Sequence, residues 1–265
     1  MALTVACLTN PRLSRYRNIA EAMAEGVRKC GDVALIHDIH QPPIASDVGV
    51  MYGWKRHAYL ETYPQFVYAD LGYWNRKDYY RLGVGAWSPD KYVSAGLPST
   101  RLDSLGVEVK PWRTGGKEIV IAGCSPKSAF EHGFAYMQWE KRAIRELSAL
   151  GRRLMYRPKP TDRSATPIPG VGYDQRPIEE AVSSAWAWVT HHSNSAIDAL
   201  AAGVPVHCVT GAASVMSTPL EHIGSPPLRE GREQFLADVA WLQWTLDEMR
   251  SGACWAHLKE RGLIC

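Results

Sequence analysis

The chain has 265 residues, 46% of them hydrophobic and 22% charged, with a formal net charge of +3. That is apolar material for one large or two small globular domains. The charge excess is too small to mark a dedicated nucleic-acid-binding domain, although it permits an anionic partner. No stretch reaches the ~18 apolar residues of a membrane span, and the first residues lack the basic start and the length of a signal peptide, so a soluble, cytoplasmic protein is expected.

In chain order, Leu3 to Leu8 reads as a buried strand. After the break at Asn10-Pro11, the stretch from Arg17 to Cys30 carries Ile19, Ala22, Met23 and Val27 at helical spacing and is closed by Gly31. Val33 to Ile36, Val48 to Tyr52 and Phe66 to Ala69 follow as strands, the last running into Asp70. Strands alternating with helices predict a parallel sheet covered on both faces. Residues 71–114 are the least regular part, rich in Trp, Tyr, Arg and Lys, and Thr114-Gly115-Gly116 reads as a linker.

The second half restarts the pattern. Glu118 to Ala122, Arg153 to Tyr156, Ala187 to Thr190 and Val204 to Val209 read as strands; Ala135 to Leu150, Ile178 to Ser184 and Ala196 to Ala202 read as helices. The tail, Arg232 to Arg250 and Cys254 to Arg261, reads as helical. Two βα arrays in series give domains at 1–114 and 115–234, with 235–265 as closing helices. The six cysteines (Cys7, Cys30, Cys124, Cys208, Cys254, Cys265) form no CxxC pair and read as reduced thiols rather than disulfides or a zinc site.

In open α/β sheets, ligands bind beyond the carboxyl ends of the strands. Three such ends in the second half are polar: Ser125-Pro126-Lys127, then Arg157-Pro158-Lys159-Pro160, then His191-His192-Ser193-Asn194-Ser195. Hydroxyls, N–H groups and cations there suit a diphosphate. Singly, Ser193 or Ser195 reads equally as a helix cap and Lys159 as a solvated charge.

The stretch 188–206, Trp-Val-Thr-His-His-Ser-Asn-Ser-Ala-Ile-Asp-Ala-Leu-Ala-Ala-Gly-Val-Pro-Val, resembles the donor-binding segment of GT-B glycosyltransferases, and in particular the capsule-polysaccharide Kdo transferases. Their basic-Pro strand end is matched by Tyr156-Arg157-Pro158-Lys159-Pro160, with Lys159 standing where the family usually has His. A vaguer similarity is to short phage-encoded glycosyltransferase-like proteins, which implies a host-cell cytoplasm. The resemblance implies an α/β fold of two Rossmann-like domains facing a cleft, with the C-terminal helices crossing back to the first domain. It also implies a nucleotide-sugar donor held by Ser125, Lys127, Arg157, Lys159, His191, His192, Ser193 and Ser195, and by Glu221 on the ribose by analogy with a late GT-B glutamate. No Asp-x-Asp occurs, so no metal and no other cofactor is expected.

For the acceptor hydroxyl, Asp70 is the expected base: Ala69-Asp-Leu-Gly-Tyr-Trp-Asn-Arg76 is similar to the acidic-Gly-aromatic-Arg segment whose carboxylate serves the Kdo transferases, while a turn-capping Asp is the plainer alternative. His57 and Glu61 are reserves. Lys55, Arg56, His57, Tyr73, Trp74 and Arg76 interleave aromatics and cations and are expected to hold the acceptor. Such a surface stacks bases and neutralises phosphates, which favours DNA carrying a hydroxymethylated pyrimidine. It also packs sugar rings, so a surface glycan or a small molecule stays open, as do an epimerase-like enzyme and a non-catalytic nucleotide-sugar-binding protein.

Overall fold

The computed structural model describes residues 1–53, 57–86 and 95–265, with His57 by its backbone alone. In chain order the elements are β1 (Thr4–Thr9), α1 (Ser14–Lys29), β2 (Val33–Asp38), β3 (Val48–Tyr52), α2 (His57–Leu60), β4 (Gln65–Leu71), β5 (Tyr79–Val84), α3 (Thr100–Ser104), β6 (Glu118–Ala122), α4 (Pro126–Glu131) and α5 (Gln138–Leu147). They continue with β7 (Arg153–Arg157), β8 (Gly172–Tyr173), α6 (Ile178–Ser184), β9 (Ala185–Thr190), α7 (Ser195–Ala201), β10 (Val206–Cys208), α8 (Arg232–Ala240), β11 (Gln243–Thr245), α9 (Leu246–Ser251) and α10 (Ala253–Glu260). No helix of the described residues is long and apolar enough to cross a membrane.

The chain forms two compact units, residues 1–91 with 240–265, and residues 92–239. Among the described residues, the first unit has one sheet in the order β11-β5-β4-β3-β1-β2 and the second has one in the order β10-β9-β6-β7-β8. The boundaries fall at 91/92 and 239/240, not at 114/115 and 234/235. The physical reason lies in residues 95–113, which bond within the second unit. The buried Asp238 carboxylate accepts from the N–H groups of Ala95 and Leu97 at 2.9 and 2.7 Å, and Lys110 and Arg113 donate their N–H groups to Ala201 and Gly203.

In the first unit β1, β2, β3 and β4 are parallel, as the βα alternation predicts. Two strands of this sheet escaped the sequence reading, as did β8 in the second unit. β5 turns back antiparallel on β4, inside the segment read as irregular, and β11 pairs antiparallel with β5 inside the stretch read as one helix. That helix is interrupted at Trp241-Leu242-Gln243-Trp244, and α9 restarts at a capping box in which Thr245 and Glu248 satisfy each other's backbone N–H groups.

α1 buries Ile19, Ala20, Met23 and Val27 on one face and docks against α9. The approach is so close that a Cβ at Gly26 would collide with the Met249 carbonyl, so glycine is required there. The tail is pinned by one buried acid. Asp32 accepts from the Leu3 N–H at 2.9 Å, the Trp255 indole at 2.7 Å and the Lys259 ammonium at 2.8 Å. Burial alone would raise its carboxyl pKa, but the hydrogen bonds from Lys259, Trp255 and Leu3 outweigh it and hold the group below the usual carboxylate range.

Removing one partner of such a buried pair costs about 3 kcal/mol, so Asp32→Ala is expected to lower the unfolding free energy by that order. Because the folded pKa is depressed, the contribution is present above the unfolded value of ~3.9 and is lost as pH falls through the lower folded value. Urea unfolding of wild type and variant at pH ~7 and below pH ~3 checks this: the gap closes in acid.

Candidate functional site

In the second unit β6 pairs in parallel with both β7 and β9, and β9 with β10. All five residues of β6 are buried, as a central strand covered on both faces requires. The registers Ala122↔Arg157, Ala122↔Thr190 and Thr190↔Cys208 bring four carboxyl ends level. The turns that follow are tied together: the Gly123 N–H donates to the Arg157 carbonyl, Thr190 Oγ1 to the Ala122 carbonyl, and the Thr210 N–H to the His191 carbonyl.

Beneath the first turn lies a side chain that the sequence reading missed. Glu140 is fully buried, and its Oε1 accepts the Cys124 N–H at 2.7 Å while Oε2 has no hydrogen-bond partner among the described residues. Its readable signal was an acid at the first position of the apolar stripe Glu140, Ala143, Ile144, Leu147 on α5. A Cβ at Gly123 would stand 2.7 Å from the Tyr156 ring and 3.2 Å from Glu140 Oε1, so only glycine lets the turn lie over both.

Above that turn the imidazoles gather. The Ser128 hydroxyl hydrogen-bonds His192 Nε2, His191 Nδ1 and His192 Nδ1 are 2.9 Å apart, and His132 lies 4.8 and 4.3 Å, ring centre to ring centre, from His191 and His192. Phe134 and Trp139 close on His191. Burial first, then the charges of His132 and His207, depress the His191 pKa to about 4; burial likewise lowers that of His132. The Cys124 thiol is pushed far up by burial and by the Glu140 charge, with Lys159 pulling the other way, and burial raises Cys208 to about 12. At neutral pH His132, His191 and the two thiols are therefore uncharged, and the Lys159 charge acts on the Cys124 thiol.

The other expected donor residues fall into different places. Ser125 caps α4 by accepting the Ser128 N–H, and Lys127 is exposed and pairs with Glu131 at 3.3 Å. Ser193 Oγ accepts the Ser195 N–H, and Ser195 Oγ accepts the Trp188 indole at 3.1 Å, so both hydroxyls help fix the turn into α7. Arg157 is engaged inside the unit: it is buried, donates to the Arg176 carbonyl at 2.7 Å and lies 3.5 Å from Asp174. Glu221 is exposed and sits toward the opposite end of the sheet. Chain 217–223 runs back beside β10, the Ile223 carbonyl takes the indole of Trp186 at the start of β9, and Gly224 abuts Leu150, just ahead of β7.

In the first unit Asp70 is the penultimate residue of β4. Its Oδ2 accepts from the Tyr68 hydroxyl at 3.0 Å and pairs with Arg81 at 3.3 Å, and its Oδ1 accepts the Leu71 N–H. Tyr73 is buried, not an acceptor platform; its N–H and that of Trp74 donate to the buried Gln243 side chain of β11. Trp74 is partly exposed and Arg76 exposed, with Arg76 Nε donating to the Tyr73 carbonyl. Lys55 and Arg56 lie outside the described residues, as does the His57 side chain.

Two Rossmann-like α/β units, each with its own mainly parallel sheet, define a GT-B-like fold. The chain is similar to two solved structures from Thermosulfurimonas dismutans. One is the KpsC beta Kdo 2,4 transferase (TM-score 0.52, 10% identity, 90% of each chain covered). The other is the KpsC beta Kdo 2,7 transferase (TM-score 0.55, 13% identity, 98% of this chain and 100% of that one). At these identities the common property is the fold. No protein-family model and no curated protein sequence matches the chain.

Because Arg157 serves the interior, Arg157→Ala is expected to leave Asp174 buried beside fewer donors and to lower the unfolding free energy by about 3 kcal/mol. Chemical denaturation of the variant checks this.

Proposed function

We propose that this chain is a glycosyltransferase that moves a sugar from a UDP- or CMP-type nucleotide-sugar to an acceptor hydroxyl, with the donor held by the second unit. The observation that carries the reading is the convergence of four strand carboxyl ends, with Lys159, Ser125 and the His191–Ser195 turn at their rim, in a fold similar to two Kdo transferases. A departing nucleoside diphosphate or monophosphate gains negative charge, and fixed donors stabilise it best where water is scarce. Lys159 supplies the cation; the Ser125 hydroxyl, which accepts from Ser128, keeps its own proton to donate. With Arg157 turned inward and Glu221 at the other end of the strands, neither is carried forward as a donor contact.

Asp70 is the base in this reading. Tyr68 and Arg81 hold its Oδ2, and Oδ1 keeps a lone pair beyond the Leu71 N–H for the acceptor proton. Transfer proceeds without magnesium or manganese, since no Asp-x-Asp is present to hold either. The six free thiols support a reducing, cytoplasmic setting.

A glycan hydroxyl is the first acceptor to test, because the similar structures are Kdo transferases and because Tyr73, one of the aromatics that suggested base stacking, is buried. A hydroxymethylated pyrimidine in phage DNA is the second, resting on Trp74 and Arg76.

The test incubates the chain with nucleotide-sugars, a Kdo donor first, with and without glycan or hydroxymethylated DNA, and follows free nucleotide. Release only with acceptor is expected; isomerised donor without acceptor identifies an epimerase, and binding without turnover a binding protein. Acceptor affinity that falls steeply with salt selects DNA. Asp70→Asn is expected to cut turnover ~10²–10⁴-fold with donor affinity intact. Lys159→Ala should weaken donor binding by about 1.5–3 kcal/mol, the scale of a charge-assisted hydrogen bond, as read by calorimetry. Turnover should persist when magnesium and manganese are withheld.

A further inference from the structure

Three histidines come together at the rim of the second unit from two separate segments, His132 from the end of α4 and His191 and His192 from the turn after β9. One ligand atom from each lies within 4.8 Å of the other two. The Nδ1 atoms of His191 and His192 are 2.9 Å apart, so their facing lone pairs must share either a proton or a cation. The Ser128 hydroxyl at His192 Nε2 is the kind of outer partner that metal-bound imidazoles use: with Nε2–H donating to Ser128 Oγ, Nδ1 is left as the basic nitrogen. Cys124 Sγ stands 3.8 Å from that same Nδ1.

We infer that His132, His191 and His192 bind a divalent transition-metal ion of the zinc class, which clips the end of α4 to the β9–α7 turn. Imidazole nitrogen suits zinc, copper and nickel, whereas magnesium and calcium ask for oxygen ligands, and none of the three donors is a carboxylate. Zinc takes nitrogen at about 2.0–2.1 Å in a tetrahedron, so the 2.9 Å nitrogen pair needs only to open slightly and His132 to swing inward. The fourth position goes to Cys124 or to water. The clip is structural, is distinct from the carboxylate-held magnesium or manganese that the sequence lacks, and does not depend on the transferase reading, because its uptake is measured without any sugar donor.

The test uses the untagged full chain, dialysed against zinc chloride and assayed by elemental mass spectrometry. One zinc per chain is expected, with a rise in melting temperature. His132→Ala alters an exposed side chain at a helix end and should leave the metal-free melting temperature unchanged while weakening zinc binding at least ~10-fold. Ser128→Ala should weaken it about 10-fold through the outer partner. Cobalt(II) reports the geometry: the intense visible bands of a tetrahedral site are expected, joined by a sulfur charge-transfer band if Cys124 is the fourth ligand. Zinc uptake equal in wild type and His132→Ala, or a cobalt spectrum indistinguishable from the aqueous ion, overturns the site.

Discussion

The parallel pairing of β6 with β7 on one side and β9 on the other is the constraint on which the second unit depends. A strand buried on both faces has no side chain to spare for chemistry, and parallel neighbours demand crossovers that return every chain to the same edge. Whatever the unit does is therefore pushed into the turns at the carboxyl ends. Charge inside the sheet goes to structure instead: Glu118 is held by Arg176 and Arg153, Asp174 by Arg176 and Arg157. These groups hold the β7–β8 edge and α6 in place, which is why a guanidinium at the end of β7 faces inward.

The same edge shows how a buried acid shapes a turn. Glu140 comes up from α5 to meet the Cys124 N–H, and Gly123 makes room for it and for Tyr156. The Cys124 thiol, His191 and His132 are kept neutral by burial, and Lys159 pulls the thiol the other way. An edge of fixed N–H groups, hydroxyls and one strong cation, with ring nitrogens beside it, is equipped for anions and for soft metals rather than for hard cations.

The first unit obeys a different logic. Its four parallel strands leave β4 needing a partner, which β5 supplies antiparallel, with β11 antiparallel on β5 in turn. β5 places Arg81 opposite Asp70, and β11 places Gln243 under the turn at Tyr73 and Trp74. β11 thus completes the first sheet, and Asp32, holding Trp255 and Lys259, fixes α10 against the same unit.

The sequence alone determined what local chemistry decides. Apolar runs and glycine stops located β1, β3, β6 and α6 within a residue or so, because a buried strand or an amphipathic helix must show its period, while the GT-B-like fold was implied by the resemblance of residues 188–206 and 156–160 to a known family. Thr245 with Glu248 is a legible capping-box restart inside the stretch 232–250 expected as one helix. Only the tertiary structure decided where long side chains end up. Arg157 turns into a buried network, Tyr73 goes into the core, Glu221 lies at the far end of the strands, and His132 meets His191 and His192 across some sixty residues of chain. Strand period fixes which face a residue occupies; its partner is set by register and by the path of the crossover, and neither is written in the local sequence.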